Sequence, residues 1–97
     1  MLITNLLYKK VFSKLENIQE SQEILYNLCE DPESGGKGHG IQIISKNTKG
    51  IQSRVFEKLS DSEDVVKNII TYLYENSVKI ESAEYIIQDV LERWLGE

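Results

Sequence analysis

Residues 31–40 read Asp-Pro-Glu-Ser-Gly-Gly-Lys-Gly-His-Gly, which gathers the only proline and four of the six glycines into one short stretch. Proline removes a backbone donor and glycine adds conformational freedom, so regular structure breaks there. The stretch divides a 97-residue chain into an N-terminal segment, 1–30, and a longer remainder. That length is one domain's worth of chain.

In the N-terminal segment, steps of three and four pick out Tyr8, Val11, Leu15, Ile18, Gln22, Leu25 and Cys29, with Ile3 and Leu7 widening the seam. This heptad-like spacing predicts one long helix over 1–30, with Thr4 or Asn5 as cap and Asp31-Pro32 as stop. A break near Glu20, with Ser21 capping a second short helix, is the alternative. After the glycine-rich loop, Gly-Ile-Gln-Ile-Ile-Ser-Lys and Gly-Ile-Gln-Ser-Arg-Val-Phe flank Asn-Thr-Lys. Two β-branched runs around an Asn- and Gly-bearing connection predict a β-hairpin over 41–58.

The last third, 61–96, predicts an antiparallel helical hairpin. Ser60 or Asp61 caps its first helix, Glu63 and Asp64 suit the positive end of the helix dipole, and Val66, Ile69, Ile70 and Leu73 form an apolar face. Val78 and Ile80 plug the connection. A stripe of Ala83, Ile86, Ile87, Val90, Leu91, Trp94 and Leu95 runs through the second helix. The expected fold is therefore α+β and predominantly helical: a long N-terminal helix, a central β-hairpin and a C-terminal antiparallel helical hairpin.

Charge is unevenly distributed. The chain carries −5 overall, but 37–58 holds Lys37, Lys46, Lys49, Arg54 and Lys58 against Glu57 alone, between two acidic flanks. Lys37, His39, Lys46, Lys49 and Arg54 are the candidate contacts to an anion or partner. Two-stranded ribbons enter nucleic-acid grooves, and phosphate contacts come mainly from Arg and Lys. Lysines also guard exposed strand edges against aggregation, and the acidic flanks oppose a polyanion. The glycine loop lacks a Lys-Ser or Lys-Thr ending and precedes a strand, unlike phosphate-binding loops. The last helix shows Glu81, Glu84, Gln88, Asp89, Glu92 and Arg93, an acidic face that rules against a DNA-recognition helix.

Catalytic chemistry has little footing. His39, the single histidine, is expected to be solvated, and a general base would need an orienting carboxylate and a nucleophile in fixed positions. Cys29 is expected to act as a small hydrophobe. With one Cys and one His no zinc or other metal site is expected, and no cofactor. No run approaches the ~20 apolar residues that span a bilayer, and the N-terminus does not resemble a secretory signal, so a cytoplasmic protein without membrane contact is expected. The sequence thus predicts a non-enzymatic interaction or regulatory protein that forms a homo-oligomer and binds a protein partner. The alternative is a binder of nucleic acid or a phosphorylated small molecule, through the basic hairpin and glycine loop.

Overall fold

A computed structural model describes residues 3–12, 22–30 and 38–95. Four strands, β1 (Ile3–Phe12), β2 (Gln22–Glu30), β3 (His39–Asn47) and β4 (Gly50–Ser60), precede two helices, α1 (Glu63–Glu75) and α2 (Ile80–Leu95). The strands form one antiparallel sheet in sequence order, β1-β2-β3-β4. The fold is α+β, but it is not predominantly helical. The long N-terminal helix expected over 1–30 is replaced by β1 and β2, and the central hairpin forms half of a larger sheet.

The physical reason lies in β2. Ile24, Tyr26 and Leu28 alternate toward the helices and are buried. That is the two-residue period of a strand. Leu25 and Cys29 point to the opposite face, so the run looks continuously apolar and its alternation is concealed. The supposed helical seam is split between faces: Tyr8 sits with Tyr26 on the helix side, whereas Val11, Leu25 and Cys29 sit on the other. Leu15 and Ile18 lie outside the described residues.

The core lies between the sheet and the helices. Ile24, Tyr26, Leu28, Ile41 and Ile43 from the sheet meet Val66, Ile69, Ile70 and Leu73 from α1 and Ala83, Ile87 and Val90 from α2. Val78 and Ile80 complete it, as their place in the helix connection suggests. α1 packs on all four strands and α2 on β3 and β4. The apolar faces read in the sequence for both helices are the buried ones; the side chains of Trp94 and Leu95 lie outside the description. Ser62, one residue beyond the expected caps, closes the N-terminus of α1 by accepting from the Val65 N–H at 3.3 Å. Ser60 supports it, its hydroxyl accepting from the Ser62 N–H at 3.1 Å.

Polar contacts fasten β1 to α1. The Tyr8 ring stacks on Tyr74 with centroids 4.4 Å apart, and its hydroxyl lies 3.0 Å from the Thr71 Oγ1. Lys10 donates at 2.8 Å to both the Tyr74 carbonyl and the Ser77 hydroxyl, and its Nζ sits 4.8 Å from the Tyr74 ring centroid. A bulge between Leu6 and Tyr8 re-aims the strand, leaving Leu7 packed on the core and Leu6 exposed. A larger irregularity bends β4, where His39 faces Ser60 but Ile41 faces Phe56. Lys58 takes a positive φ of 54° there. β4 comes so close to β3 that a Cβ on Gly40 would stand 2.3 Å from the Phe56 carbonyl oxygen.

Candidate functional site

The two faces of the sheet differ in what covers them. Both helices lie on one. Among the described residues no element lies on the other, and its side chains can be read row by row from the strand register. One row runs Val11, Glu23, Lys46, Ile51 across all four strands. The next runs Lys9, Leu25, Ile44, Ser53, and the next Leu6, Asn27, Gln42, Val55. Leu6, Val11, Ile51 and Val55 are exposed, Ile51 to 70%. Leu25 and Ile44, at the centre, are half-buried.

Charge on this face is arranged around one carboxylate. Glu23 pairs diagonally with Lys9 at 3.0 Å and directly across with Lys46 at 3.9 Å, giving a Lys-Glu-Lys cluster over β1, β2 and β3. On the same face, the Asn27 amide donates to the Gln42 Oε1 at 2.9 Å, while the Asn27 Oδ1 is buried without a partner among the described residues. Cys29 is buried on the same side, and burial, helped by the negative charge of Glu57, pushes its thiol up to about 11. A thiol held protonated in this way is a weak nucleophile.

The residues singled out from sequence are not brought together. Lys46 is on the open face, tied to Glu23. Arg54 points to the helix side, where it donates to Glu84 of α2 at 3.1 Å and lies 5.1 Å from the Phe56 ring centroid. Lys49 is in the β3–β4 turn, its N–H donating to the Asn47 Oδ1 at 2.8 Å. His39 is at the opposite end of β3, and Lys37 lies outside the described residues. His39 also differs from its expected solvated state: it opens β3 as a buried residue, 7% exposed. The reason is the sheet itself, because extending β3 to residue 39 pairs His39 with Glu30 of β2 and Ser60 of β4.

A hollow of about 410 Å³ adjoins Arg54, lined also by Gln52, Ser53, Ile80 and Glu81. Arg54 is already paired with Glu84, and Glu81 is acidic, which makes the hollow a poor cradle for phosphate. Leu6, Ile51, Val55 and Glu23, by contrast, carried no functional signal in the sequence. Their grouping depends on four strands lying in register, and two of those strands were read as a helix. Comparison with protein-family models, curated proteins and solved structures finds no match. Among the described residues no helix is long and apolar enough to cross a membrane.

Proposed function

We propose that this chain is a protein-interaction module that associates with a second copy of itself through the open face of its sheet, and that it acts by occupying a partner surface and not by catalysis. The observation that carries this reading is the set of exposed apolar side chains, Leu6, Val11, Ile51 and Val55, around half-buried Leu25 and Ile44. An antiparallel sheet with one solvated face ordinarily turns polar residues outward. This face departs from that pattern in the three rows from Val11–Ile51 to Leu6–Val55. Two such faces can pack about 10 Å apart, with side chains interdigitating as in a sandwich. The Lys9–Glu23–Lys46 cluster offers both signs of charge, which suits a self-complementary two-fold contact.

Self-association rests on neither an isolated hairpin nor a helical seam: β2 covers one edge of the β3–β4 hairpin, and the described residues of the heptad-like spacing fall on β1 and β2. The anion-binding alternative has less support, because its basic residues diverge over two faces and both ends of β3.

Light scattering on the purified chain tests the proposal. The expected mass is twice the 11.2 kDa of one chain at micromolar concentration. Ile51→Asp and Leu6→Asp, at exposed positions, should return it to a single chain mass without loss of helix or strand signal. A wild-type mass that stays at one chain up to several hundred micromolar would overturn the reading.

A further inference from the structure

Away from the open face, at the end of the sheet where the glycine-rich stretch departs and returns, three ligating side chains converge. Glu30 closes β2, His39 opens β3, and Glu63 begins α1. One ligating atom from each lies within 4.8 Å of the others. Carboxylates near a histidine commonly mark no more than a loose ion pair, but His39 sets this cluster apart. Its side chain is more than nine-tenths buried, and its Nδ1 has no hydrogen-bond partner among the described residues. The Glu30 Oε2 stands 3.9 Å from that nitrogen, too far for a hydrogen bond. Buried polar atoms in folded proteins are almost always satisfied, and one that is not calls for an explanation.

We propose that Glu30, His39 and Glu63 form a binding site for a divalent transition-metal ion of borderline hardness, with zinc as the reference ion. One imidazole with two carboxylates is a donor set that such ions accept, whereas magnesium and calcium prefer oxygen alone. A tetrahedral zinc shell places its ligand atoms about 3.4 Å apart, given metal–ligand distances of about 2.0–2.2 Å. The two glutamates, both partly exposed, are the side chains that would turn to close the present spacing to that. Three protein ligands leave room for water in the shell.

Two features shape the site's strength. The N-terminus of α1 carries partial positive charge, which opposes a cation there, and two carboxylates offset it. Lys67 competes for Glu63 at 2.9 Å. Glu30 and His39 are register partners at either side of residues 31–38. A bound ion therefore fastens the base of that stretch and ties it to α1.

Calorimetric titration of chelator-stripped protein with zinc chloride, read together with thermal melts, tests this. The expected result is one zinc per chain, a higher melting midpoint, and at least a tenfold weaker affinity in both Glu30→Gln and Glu63→Gln. His39→Gln should abolish binding. Because that variant alters a buried residue, the two glutamate variants carry the decision if it fails to fold. Cys29→Ala should bind as wild type does. Overturning results are no saturable binding up to millimolar zinc, a loss below threefold in the glutamate variants, loss of binding in Cys29→Ala, or magnesium bound as tightly as zinc. None of these readouts depends on whether the chain dimerises.

Discussion

The hydroxyl of Tyr26, wholly buried beneath the helices, donates to the Val78 carbonyl at 2.8 Å and so joins the centre of β2 to the turn between α1 and α2. A tyrosine can be buried this deeply because its one polar atom has a partner. Tyr26→Phe keeps the ring and leaves the Val78 carbonyl without that donor. The expected loss is about 1–2 kcal/mol by urea melts. Tyr85→Phe, on a side chain 73% exposed, should change nothing measurable.

Gly40 is fixed by proximity. Any side chain there meets the backbone of Phe56 and Glu57, which cannot swing away as a flexible side chain would. Gly40→Ala should therefore cost about 1–3 kcal/mol. A variant as stable as wild type in the same melts would mean that the β4 irregularity relaxes freely.

Alkaline pH should weaken the fold through Cys29. Its pKa is raised from 9.0 to about 11, so the folded state holds the proton after the unfolded chain has released it. Its contribution is full below about pH 9 and is lost as pH rises through about 11. Tyr26, pushed by burial from 10.0 to about 12, adds a decline of the same sign at higher pH. Stability measured from pH 7 to 10.5 should fall, and Cys29→Ala should fall less steeply. Equal slopes would remove Cys29 from the account.

The divergence of Lys46, Lys49 and Arg54 predicts no saturable binding of mixed oligonucleotides at near-physiological salt. It also predicts that Arg54→Glu changes stability by less than about 1 kcal/mol, since the Arg54–Glu84 pair is about half exposed. A sub-micromolar oligonucleotide complex, steeply weakened by salt, would return the basic hairpin to consideration.

Legibility in the sequence followed how each element advertises its period. α1 and α2 each bury one stripe, and Val66 to Leu73 and Ala83 to Val90 show it. The β3–β4 hairpin was readable from its turn and its β-branched runs. β1 and β2 were not, because β2 has buried residues on both faces, and the bulge at Leu7 interrupts the alternation in β1. The site suffered for the same reason. Once Glu30 is placed on a helix, nothing in the sequence pairs it with His39 across the glycine-rich stretch, and Glu63 enters from a separate element.

The strand order β1-β2-β3-β4 also bears on the making of the protein. Every strand pairs only with its neighbours in sequence, so the sheet can zip up by successive local closures during synthesis. Both helices that cover Ile24, Tyr26, Leu28, Ile41 and Ile43 are synthesised afterwards. Until α1 and α2 emerge, a nascent chain displays apolar rows on the two sides of one sheet at once. That interval is when the molecule is most exposed to aggregation, and when a chaperone has most to shield.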